Sequence, residues 1–141
     1  MTEYRTSLNG FLPDDLQGFF VDWRNPLSRK QLYTILQRSN CFVLAYDAET
    51  DRVVGFVNAL SDGINFAFVP MLEVLPDYQR KGIGSELMRR ILRSLRDTSC
   101  IDLTCDPSLQ SFHKRFGMLE SQGMVIRKYL RASDEDVVNS P

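Results

Sequence analysis

The sequence predicts an α+β fold with α/β-like alternation in its second half: a mixed, largely antiparallel central sheet flanked by about four helices. Three observations carry this. Apolar, β-rich runs at 41–46, 53–60 and 64–75 follow one another across short polar turns, which predicts antiparallel hairpins. From Gly82 onward the pattern alternates helix, strand, helix, strand. Before Cys41, two segments carry helix start signals and apolar residues at helical spacing.

Taken in order, Tyr4–Leu8 reads as a short first strand. Pro13-Asp14-Asp15-Leu16 opens a helix with acidic residues in its first turn, and Leu16, Phe19, Phe20 and Trp23 continue at helical spacing until Pro26. Ser28 caps a second helix through Arg38, with Leu32, Tyr33, Ile35 and Leu36 as its apolar face. Pro70 interrupts the third hairpin strand, and a residue that cannot donate to the ladder predicts an edge, bulge or splay there. Gly82–Arg96 is an amphipathic helix, Ile101–Thr104 a short buried strand, Pro107–Phe116 a helix closed by Gly117, and Gly123–Leu130 a last strand. Residues 1–131 form one expected domain, and the acidic, polar stretch 132–141 is expected to be disordered.

Composition narrows the function. The chain has 141 residues, 43% hydrophobic and 25% charged, enough to bury a core without metal or disulfide support. A net charge of −1 gives no global basic field for nucleic acid. Cys41, Cys100 and Cys105 show no metal spacing and there is a single His, so no metal site is expected and the thiols read as reduced residues of a cytoplasmic protein. No apolar run reaches membrane-spanning length, and the N-terminus lacks a signal-peptide pattern.

The most informative stretch is Gln79-Arg80-Lys81-Gly82-Ile83-Gly84, placed between an apolar strand and an amphipathic helix. Helix-start N–H groups have no intrahelical partner and carry partial positive charge, so a basic, glycine-bearing loop there is a phosphate cradle. Its spacing matches neither G-x-x-x-x-G-K-[ST] nor G-x-G-x-x-G. Gln-x-x-Gly-x-Gly, with Leu72-Glu73-Val74-Leu75-Pro76-Asp77-Tyr78 leading in and Ser85-Glu86-Leu87-Met88 leading out, resembles the acetyl-CoA pyrophosphate loop of the GNAT superfamily of N-acetyltransferases. The resemblance covers 41–131 well and the N-terminal segments loosely, and it implies a sheet splayed at the cofactor strand.

The resemblance implies acetyl-CoA as co-substrate and an amine as acceptor. Backbone N–H groups from Arg80 through Ser85, with Gln79 and the charges of Arg80 and Lys81, would take the pyrophosphate across Gly82, Ile83 and Gly84. Main-chain groups of Leu72 and Val74 would pair the pantetheine arm, and the Leu72 N–H would polarise the thioester carbonyl. Phe112, Gly117 and Met118 match the family's second motif, placing Phe112 at the cofactor. His113 stands where the family has a Tyr that protonates the departing thiolate. His113 therefore reads as the acid, as a site where little acid is needed, or as the mark of a CoA-binding module without turnover.

The attacking amine must be neutral, so a base is required. Glu73, Asp62 and Glu120 are the candidates, with a solvated or ion-paired strand residue as the alternative for Glu73. No Ser-His-Asp or Cys-His pattern demands a covalent intermediate, and Cys105 reads as a packing thiol. The acceptor pocket is expected from the first two helices, the loop between them and the Ser61-Asp62-Gly63 turn, with Phe11, Phe19, Trp23 and Tyr33 as wall or core. A homodimer is left open by the family resemblance, and the acceptor is unspecified.

Overall fold

A computed structural model describes residues 1–130; the stretch expected to be a disordered tail lies outside the described residues. These residues fall into two compact units, one of Met1–Val21 with Leu27–Leu103, the other of Asp22–Pro26 with 104–130.

The first unit is built on a five-stranded sheet in sequence order: β1 (Thr2–Arg5), β2 (Cys41–Asp47), β3 (Arg52–Ser61), β4 (Phe66–Val74) and β5 (Cys100–Asp102). The first four pair antiparallel and β5 joins β4 in parallel, so the sheet is mixed as expected. The hairpins form because β-branched and aromatic runs bury both faces, with Val43, Leu44, Val54, Phe56 and Val57 at most 1% exposed. Asp62 fixes the β3–β4 turn by accepting the N–H groups of Ile64, Asn65 and Phe66 at 2.8–3.1 Å.

Pro70 marks two departures from a regular ladder. Asn58 pairs Met71 and Leu60 pairs Phe68, so Val69 and Pro70 together oppose Ala59 in a bulge. On its other edge β4 pairs β5 only from Phe66 to Phe68, and Met71–Val74 continues beside β3 alone. This is the splay expected from the sequence.

One sheet face carries α2 (Ile83–Ser94), which buries Ile83, Leu87, Met88 and Ile91. Gly55 permits that approach: a Cβ there would lie 3.1 Å from Leu87 Cδ1 and 3.2 Å from the Glu73 carbonyl oxygen. On the outer surface of α2, Glu86 pairs with Arg90 at 2.8 Å and Arg89 at 3.1 Å. The opposite sheet face holds Phe56, against which Phe19 and Phe20 pack edge-on with ring centroids 5.0 and 6.2 Å away. Helix α1 (Arg29–Arg38) starts in a capping box between Ser28 and Gln31 and buries Leu32 and Leu36.

Two expected elements are absent among the described residues. The helix expected from Pro13 is a single 3-10 turn, Pro13–Asp15. Beyond it Gly18, Phe20 and Asp22 have φ of 93°, 67° and 64°, left-handed values that an α-helix cannot contain. Phe19 and Phe20 thus imitate helical spacing while belonging to a loop moulded onto Phe56. The strand expected over Gly123–Leu130 belongs to no ladder. In the second unit, the expected helix from Pro107 divides into a 3-10 turn, Pro107–Leu109, and a short α3 (Gln110–Lys114), followed by Gly117 at φ 84°.

Candidate active site

The loop between β4 and α2 is held from both ends. A 3-10 turn, Pro76–Tyr78, leaves β4, and the Gln79 side-chain amide turns back to donate to the Val74 carbonyl at 3.0 Å. Arg80 and Gly82 then take left-handed backbone, with φ of 62° and 82°. Nothing lies within 4 Å of where a Gly82 Cβ would stand, so glycine is needed here for conformation and not for room. Gly82 is also the N-cap of α2 and brings no side-chain acceptor. The two helix starts differ in kind: the Ser28 hydroxyl accepts the Gln31 N–H of α1 at 3.0 Å, whereas α2 begins at a residue with no capping group. An uncapped helix start beside Arg80 and Lys81 suits an anionic ligand.

Tyr78 ties this loop to the β2–β3 turn. Its hydroxyl donates to Asp47 Oδ2 at 2.8 Å, and the Lys81 ammonium lies 5.4 Å from its ring centroid. The Tyr78 hydroxyl and then the Glu49 N–H hold the Asp47 carboxyl below the usual carboxylate range. No sequence signal linked Tyr78 and Asp47, which lie 31 residues apart. With acetyl-CoA as the co-substrate that the resemblance implies, Tyr78→Phe is expected to raise its KM about 3–10-fold with kcat nearly unchanged, since one charge-assisted hydrogen bond positions the loop. Steady-state kinetics with acetyl-CoA varied at saturating acceptor checks this.

The strand feeding the loop offers main-chain groups on its open side. Leu75 N–H donates to Val54 across the β3–β4 pair at 2.8 Å, so by alternation Met71 and Glu73 also turn their main-chain groups toward β3. Leu72 and Val74 turn theirs to the edge that β5 leaves after Phe68. Their side chains share the Gly55 face, and Glu73 projects from the opposite one beside Phe56.

The three candidate bases differ in environment. The oxygen of Asp62 already serves its turn, and those N–H donors, Ile64 first, hold its carboxyl below the usual value. Glu120 pairs at the surface with Lys114 at 3.1 Å. Glu73 is half-buried, and both its oxygens receive one donor, the Phe20 N–H at 2.8 and 3.2 Å. Burial pushes its carboxyl up and the Phe20 N–H only partly offsets this. Phe20 also lines a cleft of about 630 Å³ with Pro13, Asp14, Leu16, Phe19 and Ser28. Of the other aromatics, Tyr33 donates to the Phe11 carbonyl at 3.0 Å and Phe11 packs on Tyr46, so both brace the N-terminal segment.

Phe112 and His113 belong to the second unit, as does Trp23. His113 is buried, packs edge-on against Phe112 with centroids 5.0 Å apart, and leaves Nδ1 without a hydrogen-bond partner. Desolvation lowers its pKa, favouring the neutral imidazole. An acid role for His113 would have to work against that burial.

A five-stranded mixed sheet and a helix that starts at left-handed Gly82, just after a strand that β5 pairs only as far as Phe68, make up the α+β architecture around the candidate site. Residues 9–118 match the acetyltransferase (GNAT) family, and the chain belongs to that family. A structure from Deinococcus radiodurans R1, provisionally assigned as an acetyltransferase, is 44% identical with a TM-score of 0.87 over 91% of this chain and 89% of that one. A GNAT family protein from Streptococcus pneumoniae TIGR4 is 28% identical with a TM-score of 0.74, covering 91% of this chain and 99% of the other. An uncharacterized N-acetyltransferase ycf52-like protein of Prochlorococcus marinus is 34% identical over 73% of this chain and 59% of its own length. The ycf52 protein of Gracilaria tenuistipitata var. liui is 32% identical over 70% of this chain and 56% of its length, so the chain spans less than two thirds of these relatives. No helix among the described residues is long and apolar enough to cross a membrane.

Proposed function

We propose that this protein is a cytoplasmic N-acetyltransferase that moves an acetyl group from acetyl-CoA to a primary amine by direct attack. The observation that supports this most is the uncapped start of α2 at left-handed Gly82, next to Arg80 and Lys81, at the end of a strand that β5 pairs only as far as Phe68. Main-chain N–H groups of Arg80–Ser85 would hold the pyrophosphate, with Gln79 bracing the loop on Val74. Leu72 and Val74 would pair with the pantetheine arm, and the Leu72 N–H would donate to the thioester carbonyl. Acetyl-CoA supplies the activated acyl group. The residues of the chain orient it and remove the proton from the ammonium.

Glu73 is the base in this reading. Its carboxylate has one weakly matched donor, a raised proton affinity and a place beside a residue that lines the aromatic cleft. An amine in that cleft would have the Phe19–Phe20 segment as its wall. A second reading, a CoA-binding module without turnover, draws on His113, whose burial disfavours the imidazolium an acid would need. Amine-dependent release of CoA thiol from acetyl-CoA across a panel of primary amines separates them. Turnover with any amine supports the enzyme; acetyl-CoA binding by calorimetry with no release from any amine supports the module.

A further inference from the structure

We propose that Asn58 is a positioning residue for proton removal: its Oδ1 and the Glu73 carboxylate hold one water between them, and that water passes the ammonium proton to Glu73. The relay rests on the reading of Glu73 as the base and adds a residue to it.

Asn58 lies in the apolar run of β3 and is 0% exposed. A side-chain amide so buried needs partners at both its nitrogen and its oxygen. The nitrogen has one. Asn58 Nδ2 donates to Ser39 Oγ at 3.1 Å, and the Ser39 hydroxyl gives its only proton to the Ile35 carbonyl at 2.7 Å. Ser39 can therefore only accept from Asn58, which fixes the amide with its nitrogen toward Ser39 and its oxygen away. That oxygen has no hydrogen-bond partner among the described residues. A buried acceptor costs stability unless a donor reaches it.

Strand register places that oxygen. Ser39 precedes β2 by two residues, and the Asn40 N–H donates to the Ala59 carbonyl at 3.0 Å, so Ser39 meets Asn58 on the β2 side of β3. A planar amide with its nitrogen on that side turns its oxygen toward β4. Pairing is regular from Gly55 with Val74 to Asn58 with Met71, so Phe56, Asn58, Met71 and Glu73 share one sheet face. Glu73 stands one diagonal step from Asn58, roughly 7–8 Å between Cα atoms and less between side chains. Asn58 Oδ1 and an ionised Glu73 are both acceptors and cannot bond each other. A water, with two O–H groups, joins them across roughly 5.5 Å, twice a usual O–H···O length.

A water that donates to both has only its lone pairs left, and those can only accept. The substrate ammonium is the donor that meets them. An N–H bond then breaks with its electron pair left on nitrogen, the water takes that proton, and it gives one of its own to Glu73. The products are a neutral amine and a protonated Glu73 carboxyl. The Phe20 N–H, at 2.8 and 3.2 Å from the two carboxylate oxygens, holds Glu73 in place for this. Burial and that N–H act on the Glu73 carboxyl, and no charged side chain among the described residues does.

A high-resolution crystal structure of the unaltered protein should show an ordered water within roughly 2.6–3.2 Å of both Asn58 Oδ1 and a Glu73 oxygen. Asn58→Leu, close in volume but without the amide, should lower kcat about 10–50-fold and leave the KM for acetyl-CoA within about 2-fold. It should also move the acidic limb of kcat/KM for the amine up by about 0.5–1 pH unit, because the carboxylate loses a donor. Asn58→Ser, which keeps an oxygen and leaves room for water, should hold kcat within about 5-fold. A merely structural Asn58 would move the thermal melt and leave the limb where it is. The water in the unaltered protein decides where Asn58→Leu does not fold. No water at that place, or a limb that Asn58→Leu leaves unmoved, overturns the proposal, and Glu73 stands as the base if Glu73→Gln abolishes the limb. A limb that survives Glu73→Gln overturns the base and the relay together, even with the water in place.

Discussion

Glu73→Gln is expected to lower kcat about 10²–10³-fold while leaving the protein as stable as before or more so at neutral pH. The sign follows from burial. Burial raises the folded-state pKa of Glu73 above its ordinary value of 4.5. The folded protein therefore holds that proton more tightly than the unfolded chain does. The corresponding stability is fully present below the unfolded pKa and is lost as pH rises through the folded one. At neutral pH the ionised carboxylate is a burden on the fold, which the neutral amide removes. Gln still offers an oxygen to the Phe20 N–H, so the loop it holds should stay in place. The unaltered enzyme should show an acidic limb in kcat/KM displaced above the ordinary Glu range, and the variant should lose that limb. Thermal melts and a pH–rate profile check both parts. A purely structural Glu73 would move the melt and leave the profile alone.

Gly82→Val should act on the other half of the reaction. Gly82 has φ 82° and ψ 4°, where a β-branched residue is strained. Holding such a residue there costs about 1–3 kcal/mol, and the loop can escape that cost only by turning its N–H groups away. The KM for acetyl-CoA should therefore rise roughly 10–100-fold, with a much smaller change in kcat once the site is saturated. Because a Cβ at Gly82 meets nothing within 4 Å, the effect would report backbone conformation and not a clash. Arg80→Ala is the informative comparison, since it deletes a charge and at the same time changes a residue that itself sits at φ 62°. Its KM should rise less and depend on ionic strength.

The parts of this molecule set by local chemistry were legible in the residues. The hairpins, the loop at Gln79–Gly84 and α2 follow from alternation, turn residues and an amphipathic run, and the splay follows from Pro70. The parts set by distant partners were not. Leu16, Phe19, Phe20 and Trp23 keep a helical interval, but Gly18 breaks the helix and the Phe20 N–H is taken by Glu73, 53 residues away. Residues 123–130 have the composition of a strand, and composition cannot supply the edge a strand needs. Within the candidate site, Glu73, Leu72 and the loop came from pattern and resemblance. The Tyr78–Asp47 tie and the close approach at Gly55 depend on register between strands, which no single segment encodes. The motif position of His113 suggested an acid, and burial in the fold favours its neutral form.

The central claim is that the uncapped start of α2 holds the pyrophosphate of acetyl-CoA. A crystal structure of the protein grown with acetyl-CoA tests it most directly. The pyrophosphate oxygens should lie within hydrogen-bond distance, roughly 2.7–3.2 Å, of main-chain N–H groups between Arg80 and Ser85, with the pantetheine arm along Leu72 and Val74. Pyrophosphate density elsewhere on the molecule, with those N–H groups facing solvent, would contradict it.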